Sequence, residues 1–476
     1  MTQRTEVLAD TEHGPVRGTV DGDLAVFRGI PFAAAPVGPL RFAPPAPPES
    51  WSTALDAEFA GPAVPQNPSP MAAILGSEKL PATDEDNCLT LNVFTPDVIG
   101  QRAVLIWLHG GGFVTGYGGG ERNSGARLAA NEDIVVVCPN YRIGPFGYLY
   151  LGEGQGNMGL LDQIAALKWV HRNIAAFGGD PDRITIGGHS AGALSAAAVA
   201  AAPSTRGLVR RVLLASPPLT NIGTPQQASA DAEALLTALG GDRAELRAAA
   251  AERILDAAAK VTAAHGEPRP ALILGGAELP VQIDAGLRES GVEVLIGTTA
   301  EEARAFLAMD PGMGSADERT ALGVLGRFRP GAEDALYRHY SQRRPGSKPG
   351  ELVADALTDV LFRMPMLRIA QDLGAYVYQF DRPANTALGS CHTADIPFIL
   401  GNPAAWLETP LLAGHRLEQV QPLADAYSAA LAEFIREGSA PWPRYDRERR
   451  CTMRFGALTG WVNDAAGPER ELWGVR

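Results

Sequence analysis

Short, almost wholly apolar runs that end in Gly-rich or polar turns constrain this chain more than any other feature. They fall at 89–94, 103–108, 134–138, 184–186, 212–214, 292–296 and 375–380. Strands buried on both faces have this composition, and they belong to mostly parallel sheets covered by helices. Between the third and fourth runs, Leu160, Ile164, Leu167 and Ile174 recur at helical spacing. That spacing predicts a helix over 160–177 lying on one face of the sheet, as a β-α-β crossover requires. The fold class is therefore α/β, with a mostly parallel central sheet flanked by helices.

The first forty residues alternate short apolar runs with glycine. Pro31, Pro36, Pro39, Pro44, Pro45, Pro47 and Pro48 then crowd a stretch that cannot be helical, either an ordered meandering loop or a disordered linker. Residues 228–264 are rich in Ala, Glu and Leu and broken by Gly240-Gly241, so they read as two or more helices inserted between strands. A second helical insertion spans about 311–373. Such insertions form a lid or pocket wall, or pack peripherally.

Composition excludes several classes of function. Hydrophobic residues make up 46% of 476 and charged residues 20%, enough to bury a full core and far from the signature of disorder. The net charge of −13 repels phosphate backbones, so nucleic acid is not an expected partner. No run of 18 uninterrupted apolar residues occurs, and residues 1–13 carry Arg4, Glu6, Asp10 and Glu12 in place of a signal-peptide apolar core. No membrane association is expected. Cys88, Cys138, Cys391 and Cys451 show no C-x-x-C spacing, which argues against a zinc site or disulfide framework. The expectation is reduced thiols in a cytoplasmic protein.

The chemistry concentrates around Gly188-His189-Ser190-Ala191-Gly192, a G-x-S-x-G sequence between an apolar run and the helix-forming stretch 191–202. Flanking glycines permit a sharp strand-to-helix turn that exposes the serine hydroxyl and aims the next amide at the same point. The competing reading is a serine that merely caps a helix. Upstream, the apolar run 103–108 leads into His109-Gly110-Gly111-Gly112-Phe113. Glycines there let backbone amides approach a ligand oxygen, so Gly111 and Gly112, with Ala191, are candidate oxyanion donors. A flexible glycine-rich turn is the alternative.

A serine hydroxyl needs a histidine to take its proton and a carboxylate to orient that histidine. On a strand–turn–helix elbow the chain order is serine, acid, histidine. Of the histidines after Ser190, His265 precedes the last strong strand before the candidate acid, and His339 lies in an apparent helix. Both read as solvated or packing residues. His392 lies in Gly389-Ser-Cys-His-Thr-Ala-Asp395, a loop after the run ending at Phe380, where a general base belongs. The acid is Glu301 or Glu302, just past the strand that begins at Val292, unless both are merely first-turn helix residues.

These residues, with several further blocks, resemble the type B carboxylesterases, the α/β-hydrolase group that includes the cholinesterases. The resembling segments include Phe27-Arg-Gly-Ile-Pro-Phe32, Leu40-Arg-Phe-Ala-Pro-Pro45, Glu85-Asp-Asn-Cys-Leu-Thr-Leu-Asn-Val93, Asn140-Tyr-Arg-Ile-Gly144, Gly156-Asn-Met-Gly-Leu-Leu-Asp-Gln163, Asp395-Ile-Pro-Phe398 and Trp442-Pro-Arg-Tyr445. The resemblance implies an α/β-hydrolase fold over residues 1–476 as one domain, with helical insertions at about 217–290 and 311–373. It makes Ser190 the nucleophile, Glu302 the acid and His392 the base, with Gly111, Gly112 and Ala191 as oxyanion donors. It also implies Ser216 as a buried hydroxyl near the acid, and an Arg41–Glu85 ion pair. The chain departs from the pattern in three places. His189 replaces the usual acidic or amide residue, which argues against choline esters; the acid motif reads Glu301-Glu302-Ala303; and Val64 stands where a cysteine would pair with Cys88.

The implied activity is cleavage of small-molecule carboxylic esters, of short to medium acyl chain, through an acyl-enzyme. It needs no metal or organic cofactor. The same triad would serve carbamates, amides or lactones, and a non-catalytic cholinesterase-like binding protein is a further alternative. The mildly apolar insertion at 228–264 argues against an interfacial lipase. Phe306, four residues past Glu302, is a candidate for the acyl side. Trp473 is expected to pack on the body of the protein, and the expected oligomeric state is a monomer.

Overall fold

The computed structural model describes residues 6–78, 80–152, 156–265, 271–385 and 387–475; His265 closes a helix, and its side chain and residues 1–5 and 266–270 lie outside the description. The chain opens with three strands, β1 (Glu6–Thr11), β2 (Gly14–Asp21) and β3 (Leu24–Pro31), and the two-residue β4 (Leu55–Asp56). The main series follows: β5 (Thr90–Thr95), β6 (Arg102–Leu108), β7 (Val135–Pro139), β8 (Gly179–His189) and β9 (Arg211–Ala215). After a small pair, β10 (Ile222–Gly223) and β11 (Leu272–Ile273), come β12 (Glu293–Thr299), β13 (Tyr376–Phe380), β14 (Cys451–Phe455) and β15 (Gly460–Asn463).

One large sheet runs β1-β2-β3-β5-β7-β6-β8-β9-β12-β13-β14-β15, with β4 on the side of β2. From β7 across to β14 every neighbouring pair is parallel. The pairs β1–β2, β2–β3, β3–β5, β5–β7 and β14–β15 are antiparallel. Each of the seven apolar runs matches a strand of this sheet, four of them starting one residue before it. The central ones are buried on both faces, as β7 and β9 are along their whole length. The predicted helix over 160–177 is an α-helix at Met158–Asn173 followed by a 3-10 turn at Ile174–Phe177, stopped by Gly178 in the left-handed conformation.

The N-terminal segment holds strands that the sequence reading did not assign. Residues 6–31 are three strands, because Val16, Val26, Phe27 and Ile30 are each at most 1% exposed and extend the core past the parallel region. The Pro-rich stretch that follows is an ordered loop, pinned by Ala34 N–H donating to Ala46 O at 2.8 Å and by Arg41 Nε donating to Glu85 Oε1 at 2.9 Å.

The first insertion contains helices Pro225–Leu239, Arg243–Ala248 and Ala251–His265, the break at Gly240 being a left-handed C-cap. Their apolar faces form a satellite core with Phe42, Phe146, Leu149 and Leu151. In the second insertion, helices Pro349–Thr358 and Met364–Leu373 are joined by one π-helical turn, Asp359–Arg363. Pro365 supplies a reason for that turn: it has no N–H to continue the α-helical ladder, and the backbone widens just before it. Among the described residues no helix is long and apolar enough to cross a membrane.

Candidate active site

β8 ends at His189, and helix Ala191–Ala201 begins immediately after Ser190. The turn holds Ser190 at φ 54°, ψ −121°, a conformation that L-residues rarely adopt and that must be maintained by its surroundings. Ser190 N–H donates to Ala215 O at 2.8 Å, tying the elbow to β9. The glycines are needed sterically: a Cβ on Gly188 would lie 2.5 Å from Gly192 C, and one on Gly192 would lie 2.1 Å from Leu108 O. The end of β6 therefore passes directly beneath the start of the helix.

From there the chain enters the Gly-rich loop. A Cβ on Gly110 would sit 2.9 Å from His189 O and 3.6 Å from Ser190 Cβ, so the loop crosses the elbow at van der Waals distance. Gly111, at φ 121°, has no room for a side chain, since its Cβ would meet Thr115 O at 2.0 Å. Its carbonyl accepts from the amides of Val114 and Thr115 at 3.1 and 3.0 Å, which closes the turn. Ala191 N–H, first in its helix, lacks an intrahelical acceptor by geometry. Burial drives His109 down to about 4, against the opposing hydrogen bond with Gly110 O. Its neutral ring stacks on Tyr141 at 4.3 Å, while the Tyr141 hydroxyl donates to His109 O at 2.5 Å.

His392 Nε2 lies 2.8 Å from Ser190 Oγ, and its Nδ1 lies 2.5 Å from Glu302 Oε2. Glu302 is fully buried, just beyond the end of β12. Its other oxygen accepts from Ser216 Oγ–H at 2.6 Å and from Thr299 N–H at 2.8 Å. Burial pushes this carboxyl up; the His392 imidazole and the bonds from His392, Ser216 and Thr299 outweigh it and hold Glu302 below its ordinary value. The choice between the two glutamates resolves geometrically. Glu302 faces the imidazole, whereas Glu301 Oε2 accepts from Ser390 N–H at 2.8 Å and Oε1 lies 2.7 Å from Arg344. Glu301 thus braces the loop that carries His392.

Ser216 is at the end of β9 at φ 50°, its N–H donating to Gly297 O at 2.8 Å. Phe306 and Phe362 flank the imidazole, with ring centroids 5.4 and 5.2 Å from that of His392. Phe362 belongs to the π-helical turn, which the sequence reading did not single out. The turn is anchored: Asp359 pairs with Arg363 and accepts from Tyr340 OH at 2.6 Å, and Arg363 donates to Ala300 O at 2.7 Å. Trp473 Nε1–H donates to Tyr340 OH at 2.8 Å, so the C-terminal segment packs onto this wall. His339 contacts Glu469 at 3.0 Å, away from the triad. The cysteines at 88, 138, 391 and 451 are buried and free.

A separate cleft of about 510 Å³ lies between the loops at 65–67 and 83–86 and the helix Ala251–His265. Its lining residue Gln66 reaches the Gly-rich loop: the Gln66 amide donates to Gly116 O at 2.9 Å and accepts from Gly116 N–H at 2.8 Å.

Taken together, a hydroxyl, an imidazole and a buried carboxylate stand in hydrogen-bonded series beside a turn of glycine amides. Such a series lets the imidazole take the hydroxyl proton while the carboxylate stabilises the cation that forms.

Comparison with known proteins follows this geometry. Residues 5–459 match the model of the carboxylesterase family. The chain is 34% identical to the para-nitrobenzyl esterase of Bacillus subtilis (strain 168), with 98% of each chain covered. It is 35% identical to the phenmedipham hydrolase of Pseudarthrobacter oxydans over 95% of each. A crystal structure of a Geobacillus stearothermophilus carboxylesterase superposes with a TM-score of 0.87 at 34% identity, covering 98% of this chain and 99% of that one. With the family model matched over residues 5–459 and relatives alike in sequence and fold over almost its whole length, the chain belongs to the carboxylesterase family.

Proposed function

We propose that this carboxylic ester hydrolase acts on small-molecule esters of short to medium acyl chain, with Ser190 as nucleophile, His392 as general base and Glu302 as the acid that orients it. The observation that carries the reading is the unbroken series Ser190 Oγ, His392 Nε2, His392 Nδ1, Glu302 Oε2, at 2.8 and 2.5 Å. His392 removes the Ser190 proton as Oγ attacks the ester carbonyl. The amides of Gly111, Gly112 and Ala191 receive the resulting oxyanion. His392 then protonates the leaving alcohol, and water attacks the acyl-enzyme by the same route to release the acid. Phe306 and Phe362, packed against the imidazole, wall the acyl side.

Residues 1–476 act as one catalytic unit: the three triad residues come from widely separated parts of one chain, which also supports activity as a monomer. Four buried free cysteines support a reducing, cytoplasmic setting. A second reading keeps the same residues but takes a carbamate, amide or lactone as substrate. It is favoured by the different substrates for which the two relatives are named.

The test is hydrolysis of p-nitrophenyl esters from acetate to decanoate by the wild type and by Ser190→Ala. Turnover by the wild type alone, with an optimum at short or medium chains, is expected. Equal and substantial turnover by both proteins would remove Ser190 as the nucleophile.

A further inference from the structure

A second histidine–carboxylate pair lies beside the triad, and the mechanism above does not use it. His189 precedes Ser190 in the chain, and Asp395 follows His392 by three residues. They are 2% and 0% exposed, with His189 Nε2 and Asp395 Oδ1 facing each other at 3.5 Å. Neither atom has a hydrogen-bond partner among the described residues. The ring of His189 lies 4.9 Å from that of His392, centroid to centroid. The pair is built into the same backbone as the triad: His189 is peptide-bonded to the nucleophile. Asp395 shares a tight turn with the base, in which Ala394 N–H donates to Cys391 O and Ile396 N–H to Thr393 O.

A carboxylate buried this deeply needs a counter-charge or strong donors. The titratable groups facing Asp395 are His189, Tyr427, whose hydroxyl lies 3.4 Å from Oδ2, Tyr378 and Cys391. Glu302, like Asp395, acts electrostatically on Tyr378, and His392 lies beside His189. Besides the working base, only His189 among them can carry a positive charge. Without it, Asp395 would stand as an unmatched buried negative charge in the cluster that holds His392.

We propose that His189 is a positioning residue that neutralises Asp395, so that His392 answers to the carboxylate of Glu302 alone. The inference rests on His392 being the base.

The experiment is the pH profile of kcat/KM for a p-nitrophenyl ester, measured on the wild type, His189→Gln, Asp395→Asn and the double variant. In His189→Gln the unmatched charge moves the acidic limb to higher pH, by about one unit for a buried, poorly screened charge. Asp395→Asn does not move the limb upward, and the double variant returns it towards the wild-type position, a non-additivity expected only of a coupled pair. A purely structural role would lower kcat and leave the limb in place. An unmoved limb in His189→Gln, or an equal upward shift in both single variants, would overturn the proposal. If His189→Gln does not fold, an upward shift in Asp395→Asn overturns it alone, and a downward or absent shift with a wild-type limb in the double variant supports it. Wild-type turnover by His392→Ala would instead remove the assignment of the base, so the two failures are distinguishable.

Discussion

Replacing Ser216 by alanine isolates the support that Glu302 receives from outside its own loop. The fully buried carboxylate accepts at 2.5 Å from His392, at 2.6 Å from Ser216 and at 2.8 Å from Thr299 N–H. The two bonds on Oε1 fix the plane of the group, and with it the direction in which Oε2 meets the imidazole. Alanine deletes the Ser216 bond and leaves the Thr299 amide alone on Oε1. A hydrogen bond to a charged, buried acceptor contributes about 1.5–3 kcal/mol, and each ~1.4 kcal/mol in the transition state is tenfold in rate. On the proposed mechanism the loss falls on the step in which His392 becomes a cation and depends on Glu302. kcat should therefore drop about ten- to a hundredfold with KM little changed. Serine and alanine bear the same left-handed backbone at φ 50°, whereas glycine relieves it. Ser216→Gly should then melt at a higher temperature than Ser216→Ala while being equally slow. Steady-state kinetics on p-nitrophenyl butyrate, with thermal midpoints for both variants, decide the matter. A kcat within twofold of wild type in either variant, or a glycine variant that recovers the activity alanine loses, would refute the reasoning.

Two further outcomes follow from the geometry. Gly111→Ala should lower kcat at least about a hundredfold, the scale of losing an oxyanion donor, because its Cβ would meet Thr115 O at 2.0 Å and move the loop. At Gly112 the nearest atom to such a Cβ is 4.0 Å away, so Gly112→Ala should cost only the strain of its positive φ; comparable losses in the two variants would count against this placement of the loop. Burial outweighs the neighbouring Arg344 and raises Asp355 to about 6. A raised carboxyl stabilises the fold fully below its unfolded value, near 3.8, and loses that contribution as pH rises through about 6. The stability of Asp355→Asn relative to wild type should thus increase between about pH 4 and 7 by up to about 3 kcal/mol. Denaturant midpoints at both pH values check this, and a constant or shrinking difference would contradict it.

The site was legible in the sequence to the extent that its groups sit in local motifs. Ser190 with its glycines, the loop at 109–113 and His392 after a strand are each defined by neighbours along the chain, and the apolar runs marked the strands that carry them. The first three strands were missed because they are antiparallel and only half apolar. Their burial depends on a sheet edge formed by β5, some sixty residues later. Glu301 and Glu302 are adjacent in sequence, so periodicity could not choose between them. The family resemblance named Glu302, and in the structure it is Glu302 that the end of β12 turns towards His392.

What the sequence determined alone was the set of covalently local conformations: a tight strand-to-helix turn that only glycine neighbours permit, strands apolar on both faces, and helices stopped by glycine. These depend on sterics and hydrophobic pattern within a few residues. The family resemblance implied that His392 serves Ser190 and that Ser216 lies near Glu302; only the tertiary structure supplied the geometry of those contacts, and it alone showed His189 facing Asp395 and the π-helical turn that sets Phe362 against the imidazole. The physical reason is that these contacts are set by parallel strand register and by the burial of charge. Both are properties of packed elements, and neither leaves a pattern in any single stretch of chain.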